Sequence, residues 1–132
     1  MKSKHVAGII AAEKNSDGIH GVAYNADIYG FKALDSSGAG SDTTLGNALG
    51  LIENIAAIDI INNSWGTDTS CASASNCRSI IGTALYDNWE DTAQLSTPKI
   101  SVFAAGNDGE SQPSAECQTM VYNSDINGDK YK

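Results

Sequence analysis

Two apolar runs in this chain stop abruptly in small polar residues and glycine. They are Ile61-Asn62-Asn63-Ser64-Trp65-Gly66 and Ser101-Val102-Phe103-Ala104-Ala105-Gly106-Asn107-Asp108-Gly109. A buried parallel strand delivers functional groups in this way, because the working crevice of an open α/β sheet lies outside the carboxyl ends of its strands. The Asn107 amide and the main chain around Ser64 are therefore the first groups to weigh as hydrogen-bonding, substrate-facing elements. By itself, an asparagine in such a glycine-rich segment is a turn former.

Other reactive residue types give weaker patterns. Cys71 and Cys77 flank a Ser/Ala/Asn loop and can close a small disulfide ring, with Cys117 left over; three ordinary thiols are the alternative. No Cys and His spacing of a zinc site occurs. Asp125, Asn127 and Asp129 have the alternating spacing that opens a calcium loop, but Lys130 stands where the sharp turn wants glycine and no closing glutamate follows. A solvated turn is the simpler reading of that segment.

The elements that must position these groups alternate along the chain. Residues 5–12 are small and apolar and suit a short helix packed on a sheet. Residues 27–34 read as a strand, and 35–40 as a flexible loop. Asp42 or Thr43 can cap a helix in which Leu45, Leu49, Ile52 and Ala56 recur at helical spacing. A strand over 58–62, a helix over 78–89 with Ile81, Leu85 and Trp89 four apart, and a strand over 99–105 complete the series. Two consecutive crossovers predict an α/β fold, a partial doubly wound parallel sheet with flanking helices and right-handed connections. Beyond Gly109, residues 110–132 are polar and aperiodic and read as an irregular tail.

Composition narrows the functions. A length of 132 residues is about one domain, with ample apolar content for a core. The formal net charge of −8 argues against a nucleic-acid partner, since such binding relies on Lys and Arg to displace phosphate counterions. No apolar run approaches the roughly 20 residues that span a bilayer, and no signal-peptide core follows Met1. An export signal, where the natural protein has one, is expected outside these residues.

The two strand-end runs, together with His5-Val6-Ala7-Gly8, resemble the subtilisin-like serine peptidases, or subtilases, over residues 5–109. The resemblance implies a serine endopeptidase acting by Ser-His-Asp acyl transfer on peptide or protein substrates, secreted or at the cell surface, with no cofactor required. It places the Asn107 amide in the oxyanion hole, where a donor stabilises the charge that develops on the scissile carbonyl. It makes Ser64, Trp65 and Gly66 the substrate-binding strand, whose main chain pairs with the peptide, and Gly38 to Gly40 the opposite wall of that groove. Ser64 is then not the nucleophile. Trp65 either lines a side-chain pocket or is a buried tryptophan at the sheet edge.

The chain departs from the family at its first motif. Subtilases carry His-Gly-Thr-His-Val-Ala-Gly, the first histidine being the general base; here the run is Lys2-Ser3-Lys4-His5-Val6-Ala7-Gly8. Lys2 stands at the base's position, and His5 matches the second, structural histidine. His20 matches no catalytic position and reads as a surface residue. Neither the family's Asp-containing strand nor its Gly-Thr-Ser nucleophile helix occurs. The segment from Glu13 to Ala23 resembles the loop that wraps a structural calcium in many subtilases, with oxygens from Glu13, Asn15, Asp17 and Ile19. Residues 1–132 are thus expected to be the central portion of one catalytic domain, inactive alone and prone to self-association through exposed sheet edges. The alternative is a peptide-binding module without the triad; a nucleotide-binding domain lacks its glycine-rich phosphate loop.

Overall fold

The computed structural model describes residues 2–66 and 74–104. In chain order these form α1 (Lys2–Ala11), α2 (Asp42–Glu53), β1 (Ile60–Asn63), α3 (Ala74–Ile81), α4 (Thr83–Gln94) and β2 (Ile100–Phe103). They fall in two compact units, Met1–Phe31 and Lys32–Lys132.

In the first unit the carboxyl end of α1 is closed by returning chain. Gly21 N donates to Ala12 O at 2.8 Å, Val22 N to Ile9 O at 3.1 Å and Ala23 N to Ile10 O at 2.7 Å, which satisfies carbonyls that a helix end leaves open. Residues 27–34 are expected from sequence to form a strand but do not join a ladder among the described residues. Their alternating pattern supplies strand propensity, yet a strand exists only by pairing with a neighbour. Ile28 and Tyr29 stand 52% and 49% exposed.

The second unit is built on α2, α4 and the sheet. Ser41, not Asp42 or Thr43, is the N-cap of α2. Its hydroxyl accepts from Thr44 N at 3.2 Å, and Thr44 Oγ1 accepts from Ser41 N at 3.0 Å, so two otherwise open donors are satisfied reciprocally. Leu45, Leu49 and Ile52 are buried as their spacing predicts, whereas Ala56 lies past the helix end at Glu53 and is exposed. Gly46 and Gly50 let α2 lie close to α4: a Cβ on them would come 3.0 Å from Ala84 O and 2.9 Å from Asn88 Oδ1.

The single helix expected over 78–89 is two helices broken at Gly82. Its φ of +89° is open to glycine and strained for other residues, so α3 ends and α4 restarts there. Ile81, Leu85 and Trp89 are nonetheless all buried, together with Tyr86, Thr92 and Ala93 on α4.

β1 and β2 pair in parallel, Ile60 opposite Ile100 and Asn63 opposite Phe103, with the helices between them forming one crossover. The expected second crossover would need the strand over 27–34. Ile61 and Asn63 turn one sheet face inward, while Ile60, Ile100 and Val102 leave the other open to solvent. Parallel sheets are ordinarily covered on both faces. Just before β2, the buried Lys99 sends its ammonium to Ile58 O at 2.8 Å and Ile55 O at 2.9 Å, tying the two strand entries together. The architecture is a partial α/β fold of helices and a small parallel sheet.

Candidate functional site

Where β1 ends, the chain leaves the sheet at Ser64-Trp65-Gly66. Ser64 Oγ accepts a hydrogen bond from Asn62 Nδ2 at 2.9 Å. An amide N–H cannot take up the hydroxyl proton, so this contact does not activate Ser64 as a nucleophile. Trp65 is half-buried and stacks on Trp89. The Trp65 ring packs on the core through Trp89 and also lines a cleft.

The facing wall is the loop from Asp35 to Gly40, organised by one carboxylate. Asp35 Oδ1 accepts from Ser37 Oγ at 2.6 Å, Ser37 N at 2.8 Å and Ala39 N at 3.0 Å, while Asp35 N donates to Ala39 O at 2.8 Å. These bonds favour the ionised form and hold the Asp35 carboxyl below its ordinary value, with the Ser37 hydroxyl as the largest cause. Gly38 takes a positive φ of 88° at the turn, and a Cβ on Gly40 would press to 2.7 Å from Leu34 Cδ2.

The two walls border one open cleft of about 420 Å³. Gly38, Ala39 and Gly40 stand on one side and Trp65 and Gly66 on another; Leu45 and Leu85 come from α2 and α4. Ser79, Ile80, Ile81 and Gly82 complete the lining where α3 meets α4, and Asp42 joins them from the first turn of α2. Ser64, Trp65, Gly66, Gly38 and Gly40 are thus in one compact unit, and four of the five line the same cleft; Ser64 lies directly before it in the chain. Asp35 and Asp42 are not marked by the sequence as site residues; Asp42 reads there only as a candidate helix cap. An Asp-Ser-Ser-Gly run is the one signal that points to the Asp35 cradle, as aspartate commonly bonds the backbone of its own turn.

The other residues singled out from sequence stand elsewhere. Glu13, Asn15, Asp17 and Ile19 follow α1 on an exposed loop of the first unit, where Asn15 Oδ1 accepts from Asp17 N at 3.1 Å. The loop is closed on itself by that bond, and the described residues include no cluster of three or more His, Cys, Asp or Glu able to hold a metal. Calcium takes six to eight oxygens, more than the four positions that the family resemblance points to in this loop. His5 is exposed on α1. His20 is exposed as well, its Nδ1 at 3.0 Å from Gly21 O and its ring edge-on to Tyr24. Asn107, Cys71, Cys117, the side chain of Cys77, and the Asp125, Asn127 and Asp129 run lie outside the described residues.

Among the described residues no helix is long and apolar enough to cross a membrane. The model of the Subtilase family matches residues 4–126. The minor extracellular protease Epr of Bacillus subtilis (strain 168) is 38% identical over 110 residues, which are 83% of this chain and 15% of that protein. Subtilisin E of the same organism is 37% identical over 108 residues, 81% of this chain and 24% of that protein. An extracellular serine protease of Serratia marcescens is 49% identical over 63 residues, 47% of this chain and 5% of that protein. The chain spans less than a quarter of the length of each of these relatives. With the family model matched along nearly its whole length, the chain belongs to the Subtilase family.

Proposed function

We propose that this chain is the central, substrate-cleft portion of a serine endopeptidase that hydrolyses peptide bonds by Ser-His-Asp acyl transfer. One observation carries the reading: the segments expected to flank a bound peptide, Gly38 to Gly40 and Trp65 to Gly66, line one cleft. A peptide there would lie extended, its main chain against the Ser64 to Gly66 segment, because backbone pairing holds substrates of varied sequence. Beyond β2, Asn107 would donate its amide to the developing oxyanion.

The 132 residues hold no Gly-Thr-Ser segment, and Lys2 stands in the register of the general base. Acyl transfer needs both groups, so the chain by itself is inactive. Lys2 also favours one second reading, a peptide-binding member of the family without the triad. Relatives named as extracellular proteases support secretion of the whole protein. The open sheet face of Ile60, Ile100 and Val102 supports self-association of the isolated chain. Any calcium at Glu13, Asn15, Asp17 and Ile19 is structural and weakly held.

A serine-directed phosphonate probe and a broad fluorogenic peptide panel test the reading. The isolated chain should neither label nor turn over substrate; stoichiometric labelling of any serine would overturn the assignment of a missing nucleophile. The same probe applied to the protein with its natural flanking sequence should label one serine, and failure there favours the peptide-binding reading.

A further inference from the structure

Among the described residues, Asp42 is the one ionisable side chain lining the cleft, whose lining also includes Leu34, Leu45, Ile80, Ile81 and Leu85. Its carboxylate lies against Gly82, since a Cβ on that glycine would fall 2.5 Å from Asp42 Oδ2. Among the described residues the ion pair present joins Arg78 to Asp87, which leaves Asp42 without a cation of its own. Thr43 Oγ1 donates a weak hydrogen bond to Asp42 Oδ1 at 3.4 Å. An exposed, unpaired carboxylate beside apolar walls is complementary to a side chain with an aliphatic stem and a positive tip.

We infer that the cleft selects peptides carrying a lysine or arginine, whose stem runs along Leu34 and Leu45 and whose charged head pairs with Asp42. This rests on the peptide-groove reading above and names a substrate class for it. A glutamate in the same place would meet Asp42 as a like charge, and the net charge of −8 would add to its rejection.

The test is a fluorescence titration of the 132-residue chain, whose two tryptophans are Trp65 on the cleft wall and Trp89 stacked on it. The ligands are blocked six-residue alanine-glycine peptides with Lys, Arg, norleucine or Glu at the third position; uniform flanks let the variable residue slide to the cleft. Lys and Arg peptides should bind about three- to fivefold tighter than norleucine at low salt, in line with a partly exposed ion pair, and Glu weakest. The preference should fade as salt is raised. In Asp42→Asn the Lys and Arg peptides should fall to the affinity of norleucine. Equal binding of Lys and norleucine by the unsubstituted chain overturns the Asp42 inference and leaves the groove standing. Binding of no peptide overturns the groove itself, and with it this inference.

Discussion

Trp65 lies flat on Trp89, ring centroids 5.6 Å apart and planes within 3° of parallel. Trp89, 2% exposed, in turn meets Phe103 edge-on at 4.9 Å. A wall of the cleft is thereby fastened through the α4 core to β2. Cleft shape and core stability are linked through these three rings.

Trp65→Ala should consequently destabilise the chain as well as reshape the cleft. Loss of a half-buried indole and its stacking partner is expected to cost about 2 kcal/mol, below the 3–5 of a fully buried tryptophan. Urea denaturation followed by far-UV circular dichroism measures it. A loss under about 0.5 kcal/mol would show that the stack contributes little.

Gly82→Ala tests the break between α3 and α4. The new methyl faces two penalties: a positive φ, and overlap with the side chain of Asp42. A cost of about 1–3 kcal/mol is expected, and the Gly82→Ala, Asp42→Gly double variant, which also removes the Asp42 Cβ, should recover only the overlap portion. Full recovery in the double variant would mean that the backbone conformation carries no strain.

The Asp35 cradle should depend on pH. Its carboxyl is held below the ordinary 3.8 in the folded chain. A lowered folded value means that the carboxylate's contribution is present above the unfolded pKa and lost as pH falls through the folded one. Amide signals of Ser37 and Ala39 should therefore titrate together with a midpoint below 3.8, and Asp35→Asn should abolish the transition. A midpoint above 3.8 contradicts the hydrogen-bond account.

Calcium should stabilise the isolated chain only weakly. At most four protein oxygens come from the 13–19 loop, so millimolar affinity is expected, at about the weak end of known sites. Melting temperature followed during a calcium titration, with Asn15→Ala as control, measures the linkage. A large shift at micromolar calcium that vanished in Asn15→Ala would show a complete site within these residues.

Periodicity revealed the buried stripes of α2 and α4, because Leu45, Leu49 and Ile52, and Leu85 and Trp89, are placed by helix geometry alone. The same periodicity concealed the break at Gly82: Ile81, Leu85 and Trp89 keep their four-residue spacing across it. The cap was shifted by one residue because Ser41, Asp42, Thr43 and Thr44 are all able to cap, and the choice falls to a reciprocal bond with Thr44. Residues 27–34 carry strand chemistry without a ladder partner among the described residues, and pairing is a property of neighbours and not of the segment. At the site, Ser64 to Gly66 and Gly38 to Gly40 announce themselves by small residues beside apolar runs. Asp42 does not, since its meeting with Gly82 exists only once α2 packs beside the start of α4.

Lys99 bears on how far the two strand-end motifs sit from each other. A parallel pair has no hairpin to set its offset, and sliding by one residue would exchange the inward and outward faces of a strand. The lysine acts as an index pin: its stem rises at the start of β2 while its ammonium grips carbonyls of Ile55 and Ile58, ahead of β1. With the lower ends locked, the upper ends finish level, Asn63 beside Phe103, and Ala104 N still bonds Asn63 O at 3.1 Å. The Ser64 segment and the run leading to Asn107 therefore start from the same height. One buried cation at the base of the sheet thus keeps the carboxyl ends of β1 and β2 in step, although it touches neither.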